Sequence, residues 1–349
     1  MDTKRRQFLL GCSVGVLGAV AAPRRVWADR IRVLGEPSDL DRPRWGGQIS
    51  RDLGRWLGSI RVGQSASQGP LFILWLTAKE SGPPLDVATL DEARKSGALL
   101  ITERAQASVP ELVVENRGKL PVLLLAGEIL VGGRQNRVLR EDLLLPPLSG
   151  ARSIGVYCVE QGRWNDGRKE FESKGSFAQP GLRSRLMEQA GQHQVWEAVA
   201  KSAREAAPAT PSPTQSYQAI YDDGKVQAHI GEVERAASLR PSAAAHGAAV
   251  FVGPAMAGLD LFHSPGLFTR EWPKLLRAHA LEAYGKVPSP DVSEVERRAW
   301  VQDLLTQASR AEGSLRGNAG VGQLFEFRAG RRQGVALLFE SRAIHTAIL

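Results

Sequence analysis

Two short polar cassettes interrupt otherwise apolar runs: GEILVGGRQNR at 127–137 and CVEQGRW at 158–164. Glu128 sits inside PVLLLAGEIL, so its carboxylate must be paired, protonated or placed at a strand end. Glu160 follows Cys158 by two positions, and on a strand the two share a face. These two glutamates are the candidate catalytic residues, because paired carboxylates divide acid and base roles when their surroundings separate their pKa values. Arg137 and Arg163 are their natural partners, since a guanidinium meets a carboxylate or phosphate in a two-pronged geometry. Gln135 and Asn136 offer donors and acceptors, Gly132 and Gly133 permit a tight turn or close approach to a ligand, and Trp164 can stack on a base or sugar. Gln135, Asn136, Arg137, Arg163, Trp164, Gly132 and Gly133 therefore form the candidate ligand-binding set. The same residue types also build structural networks, in which buried Glu–Arg pairs and amides tie loops together. Both readings stand at this level.

Other chemistry is scarce. A nucleophilic thiol needs a nearby base, and no histidine lies within 30 residues of Cys158. Cys158 is expected to be buried and slow to react, because its strand is largely apolar and burial raises a thiol's pKa. The six histidines form no HExxH or comparable spacing, so no metal site is assigned. Asp222-Asp223-Gly224 reads as a turn or helix irregularity, lacking the remaining ligands of a calcium loop. No glycine-rich strand-to-helix fingerprint occurs, which argues against a dinucleotide fold of the usual kind, and no cofactor is assigned.

The elements that must hold these cassettes come in an informative order. LFILWLT at 71–77 is a continuous apolar run suited to a buried strand. A short helix over 86–96, with Gly97 as its C-cap, precedes strands at 98–103, 111–115 and 153–160. Residues 165–180 read as a polar loop. Helical patterns cover 182–206, 215–237, 268–284 and 292–311, with a short strand at 248–253 between them. Strands return at 323–328, 335–340 and 344–349. Strands, then helices, then strands again predict an α+β fold: a strand-rich N-terminal half, a helical middle, and C-terminal antiparallel strands packing back on the sheet. The expected organisation is an irregular approach segment over 29–70 and a single domain over 71–349, with the breaker run PATPSP at 208–213 as a sub-boundary.

The first 28 residues read as a signal peptide. Lys4-Arg5-Arg6-Gln7-Phe8-Leu9-Leu10 resembles the twin-arginine pattern, an apolar stretch of about 15 residues follows, and Val26-Trp27-Ala28 suits cleavage after Ala28. That stretch is shorter than the roughly 20 residues of a membrane span. The expected partner is the twin-arginine export machinery and the expected location the periplasm, with no stable membrane span after processing. The formal charge is +8, of which the first 28 residues supply +4 through five basic residues and one acidic one. The remaining charge is too mild to argue for nucleic acid.

The cassettes, with SVPELVVENRG at 108–118 and LPVLLLAGEILVGGRQNRV at 120–138, resemble the ADP-ribosylglycohydrolase and rhodanese-phosphatase associated protein domain, a bacterial family of unknown activity. The likeness runs from about Leu85 to the C-terminus and takes in SPTQSY at 212–217 and LFTREWPKLLRAHALEA at 267–283. It rests mainly on Glu128, Gln135, Asn136, Arg137, Cys158, Glu160, Gly162, Arg163 and Trp164. The family name reflects association with NAD and ADP-ribose processing genes, and by that resemblance the ligand is phosphate- or ribose-containing.

Three functions follow as alternatives. One is an exported ligand-binding or accessory module whose polar pocket takes a small molecule. Another is a hydrolase-like enzyme using Glu128 or Glu160 as general acid or base, which requires the two carboxylates across an open cleft. The third is a structural or interaction protein. In all three the cassettes are expected to meet in space, with Glu128 or Glu160 paired to Arg137 or Arg163.

Overall fold

The computed structural model describes residues 43–79, 85–104, 110–164, 169–209, 211–288 and 291–349, with side chains from Arg51 onward. The expected signal peptide over 1–28 lies outside the described residues. The approach segment expected as irregular contains a helix, α1 (Pro43–Ser59), and a strand, β1 (Ile60–Gln68). β1 pairs antiparallel with β2 (Leu71–Ala78) through a turn at Gly69 (φ 55°). Sparse apolar residues hid both elements: Leu53, Leu57 and Ile60 are buried in the core, and Trp56 and Val62 pack against it half-buried.

From there the chain builds β3 (Ala88–Thr89), α2 (Leu90–Lys95), β4 (Leu99–Thr102), β5 (Glu111–Asn116), β6 (Val122–Leu124), β7 (Glu128–Gly132), β8 (Arg137–Leu139), β9 (Leu143–Leu145), β10 (Gly150–Cys158) and β11 (Phe171–Phe177). Helices follow as α3 (Pro180–Met187), α4 (Gln192–Ala206), α5 (Tyr217–Asp222) and α6 (Gly224–Arg235). The hairpin β12 (Gly247–Val252) and β13 (Ala255–Phe262) then leads to α7 (Pro265–Ala283) and α8 (Glu294–Ser309). β14 (Gly313–Gly317), β15 (Gln323–Ala329), β16 (Arg332–Phe339) and β17 (Arg342–Ile348) end the chain. The fold is α+β, with a strand-rich first half and C-terminal strands that rejoin a sheet begun by β1 and β2.

That large sheet runs β1-β2-β12-β13-β17-β16-β15-β14, antiparallel throughout. The run LFILWLT is continuous because both of its faces are covered. Ile73 and Trp75 enter one core with Phe262, Phe268 and Trp272, whereas Leu74 and Leu76 enter another with Leu53, Leu57, Val301 and Leu305 from α1 and α8.

The second sheet, β11-β7-β8-β10-β5-β4, closes on itself through a bridge between Thr102 and Glu170 and the Glu103 N–H on the Lys169 carbonyl (3.0 Å). Closure removes exposed edges. Leu99, Ile101, Leu112, Val114, Leu130, Leu139, Ile154, Val156 and Phe171 fill this six-stranded barrel. β11 falls where a polar loop was expected; its sequence FESKGSF buries Phe171 and Phe177 and leaves its charges outside. A small sheet, β3-β6-β9, packs on the same core and contains a parallel pair, β3 with β6.

Local chemistry sets the helix limits. Thr89 and Ser293 cap α2 and α8 with reciprocal Glu92 and Glu296 bonds. The helix expected over 182–206 divides into α3 and α4, with Gln189 at φ 51° between them. The one expected over 215–237 divides at Asp223, whose carboxylate accepts the Lys225 and Val226 N–H groups and restarts the helix as α6.

Candidate functional site

The two cassettes meet. Glu160, just beyond β10, has both carboxylate oxygens engaged. Oε2 accepts from the Asn136 N–H (3.0 Å) and from Arg163 Nε (2.9 Å), with Nη2 2.7 Å away, and Oε1 accepts from Thr214 Oγ1 (2.8 Å). Burial alone would raise its pKa, but Arg163, the Asn136 N–H and Thr214 outweigh that and hold the carboxyl below its ordinary value. Arg163 spends its remaining donors on the first cassette: Gly133 O (2.8 Å), Gly132 O (3.3 Å) and Asn136 Oδ1 (3.0 Å). Gln135 Nε2 donates to the Glu160 carbonyl (2.9 Å), and Asn136 Nδ2 to Ser216 Oγ (3.1 Å). The 212–217 segment docks alongside through Gly162 N to Thr214 O and Tyr217 N to Val159 O, both 2.9 Å.

The glycines serve the fold. Gly132 (φ 139°) and Gly133 (φ 51°) lie in left-handed regions that favour glycine. A Cβ on Gly132 would meet the Glu170 carbonyl at 2.4 Å, and one on Gly133 the Phe171 ring at 2.2 Å. Both approach the chain at the start of β11 closely.

Arg137 stands opposite Cys158 across β8 and β10 and is wholly buried. Its partner is not Glu128 or Glu160: Nη1 donates to the Gln135 carbonyl (3.0 Å), and Nη2 lies 4.0 Å from Glu103. Cys158 is also buried, and burial raises its pKa against the opposing effects of the Glu160 carbonyl and Arg137. Trp164 is half exposed, with the Arg134 guanidinium 5.2 Å from its ring centroid.

Glu128 belongs to a different assembly. Its Oε2 accepts from Leu125 N–H (2.8 Å) and its Oε1 is bonded by Lys274. Lys274 also meets Asp91 (3.0 Å) and Glu271 (2.9 Å). Three carboxylates thus share one buried ammonium. Burial, offset by Lys274 but reinforced by Glu271 and Asp91, pushes Glu128 up to about 8, and Glu271 is also raised. The three anions more than offset burial at Lys274 and hold its pKa well above the ordinary lysine value. In both groups burial is the largest cause of the rise, and the neighbouring carboxylates add to it.

A second buried row lies nearby. Arg183 binds Asp260 with two bonds (2.9 and 2.6 Å), Asp260 bonds His345 Nε2 (3.1 Å), and His345 Nδ1 bonds Asp142 (2.6 Å). Burial would lower the His345 pKa, but Asp142 and Asp260 lift it to about 9, so the ring is an imidazolium at neutral pH. Both ring nitrogens are occupied, so His345 is not a free base. The row borders a cleft of about 20 Å³, room for about one water.

Sequence reasoning missed Asp91, Glu271, Lys274, Arg183, Asp260, Asp142 and His345. Glu271 and Lys274 stand three apart on α7, and the apolar residues around them were the available signal that they face inward. His345 inside AIHTAIL was another.

Beside the cassettes lies a groove of about 500 Å³ between α4 and residues 207–208 and 211–220. Its walls are largely apolar, from Val199, Ala200, Ala203, Ala219 and Ile220, and Ser212 and Ser216 of the braced segment form part of its lining. Among the described residues no three or more His, Cys, Asp or Glu are grouped to hold a metal, and no helix is long and apolar enough to cross a membrane.

A model of the ARG and Rhodanese-Phosphatase-superfamily-associated Protein domain, ARPP-1, matches residues 59–349, so the chain belongs to this family and the match begins well before Leu85. No curated protein and no solved structure matches the chain.

Proposed function

We propose that this family member is an exported accessory module that binds a small molecule in the groove between α4 and residues 207–208 and 211–220, with the two cassettes acting as its brace. The observation that carries this reading is the state of Glu160. Its oxygens are committed to Asn136, Arg163 and Thr214, and the segment so held, 212–217, contributes Ser212 and Ser216 to the groove. A general acid or base needs an oxygen within reach of substrate, and both Glu128 and Glu160 are buried and bonded within the fold. The groove suits a binding role in size and character, since ligand sites are commonly 300–1,000 Å³, mostly apolar, with a few placed polar groups. That lining also disfavours ADP-ribose, whose phosphates and hydroxyls would face apolar walls unpaired.

Export belongs to the same reading. The RRQFLL string, the short apolar stretch and the Val26-Trp27-Ala28 end support delivery of the folded protein through the twin-arginine machinery and cleavage after Ala28. Replacing Arg5 and Arg6 together by Lys should strand the precursor in the cytoplasm; continued export would sink this part of the proposal.

A thermal-shift screen tests the binding role, because a ligand of the folded state raises its melting temperature. Nucleotides, ADP-ribose, sugars and small apolar acids form the panel. The expected outcome is a shift with an apolar acid that disappears in Ala203→Trp, which fills the groove. A shift with ADP-ribose that survives Ala203→Trp would overturn the assignment.

A further inference from the structure

We propose that the groove selects a free amphipathic anion: one apolar body of acyl or aryl type carrying a single anionic headgroup that is met by Arg204. The inference rests on the groove being the binding site and names its ligand class.

Two features of the groove carry it. The first is how its space arises. Ala200 and Ala203 on α4 face Ala219 and Ile220 of α5, and small side chains on both walls leave an apolar slot. Such walls reward methylenes and penalise hydroxyls, which would lose water without gaining a partner.

The second is charge. Arg204 is the single charged residue lining the slot, and among the described residues it has no ion-pair or hydrogen-bond partner. Its neighbours Lys201 and Glu205 pair with each other at 3.8 Å, and although Arg204 also borders an adjoining cleft lined by Glu188, Glu197, Glu205 and Glu282, none of these is at ion-pair distance from it among the described residues. Arg204 is exposed at the rim, where water screens a simple ion pair, so its contribution is a charge-assisted hydrogen bond to a headgroup that the apolar slot holds in place. The exposed Gln215, at the same rim, adds an amide that can donate to the headgroup. A cationic or zwitterionic amphiphile would meet this charge unfavourably. A neutral one would forgo the charge-assisted bond.

Isothermal titration of the purified protein with octanoate, decanoate and octanamide tests the proposal. Octanoate should bind about tenfold more tightly than octanamide, the difference expected for one charge-assisted hydrogen bond. Decanoate should bind about fifteenfold more tightly again, since each of its two additional buried methylenes is worth about a fourfold change in Kd. Arg204→Met should erase the preference for octanoate over octanamide. Ala203→Trp, checked to be folded by circular dichroism, should abolish binding of all three.

The outcomes separate the two layers. Equal binding of octanoate and octanamide, both lost in Ala203→Trp, would overturn the anion claim and leave the groove reading intact. Binding of none, or binding that survives Ala203→Trp, would overturn both. Retention on phosphatidylglycerol vesicles without binding of monomeric octanoate would make the groove a membrane contact and end the proposal of a free ligand.

Discussion

Glu160 and Glu128 stand in similar sequence surroundings, each at one end of an apolar β-strand, yet the fold treats them oppositely. Glu160 is surrounded by donors on the chain's own loops and stays below its ordinary pKa. Glu128 shares one ammonium with Asp91 and Glu271 and is pushed up to about 8. The apolarity of a strand therefore does not decide the state of a carboxylate within it. The number of donors and of competing anions does. One region is a hydrogen-bonded brace near the surface; the other is a buried charge cluster with a proton to lose.

The sharpest way to break this comparison is Lys274→Met. Removing the ammonium that three carboxylates share should cost about 3–5 kcal/mol of stability in urea denaturation, as for other broken buried pairs. Adding Glu128→Gln should restore part of that loss. A Lys274→Met protein as stable as the parent would show that the cluster does not hold α2, β7 and α7 together.

Next in size is the pH dependence. Glu128 and His345 are both raised in the folded protein, so each binds a proton there that it releases on unfolding. Such a group stabilises fully below its unfolded pKa and loses that contribution as pH rises through the folded one. For Glu128 the window runs from 4.5 to about 8, and for His345 from 6.5 to about 9. Glu160 and Asp260 are lowered, so their contributions are lost as pH falls below the ordinary carboxylate range. The melting temperature should decline from about pH 6 to pH 9, and Glu128→Gln should flatten the decline. A rising profile over that range would contradict the cluster's assigned charge states.

A smaller effect belongs to the brace. Glu160→Gln and Arg163→Ala should each cost about 1–3 kcal/mol and should be coupled, the double variant losing less than the sum. Strict additivity would mean the pair holds nothing together. The smallest effect concerns Cys158, which should react with a thiol reagent far more slowly in the native protein than in urea. Equal rates would show that the 158–164 cassette opens.

Much of this was legible in the sequence. The order of strands and helices, the buried strand at 71–77, the meeting of the cassettes and the burial of Cys158 all follow from apolar patterning. The Glu160–Arg163 pair was readable because both partners sit in one short cassette. Glu128's partner was not, because Lys274 lies 146 residues away on α7 and no local pattern links the two. The strand β1 was hidden by its polar composition, Arg-Val-Gly-Gln-Ser-Ala-Ser-Gln after Ile60, and is held in the sheet by backbone pairing with β2. The groove was invisible because alanines, which leave no signal in a pattern, create it.

In the proposed function the cassettes brace and the groove binds. Titrating octanoate into Glu160→Gln and Ala203→Trp side by side, with urea stability measured on both, tests it most directly. The expected result is a crossed one: Glu160→Gln loses stability and keeps binding under native conditions, while Ala203→Trp keeps its stability and loses binding. A Glu160→Gln protein of full stability that no longer binds would overturn the brace and return Glu160 to the site itself.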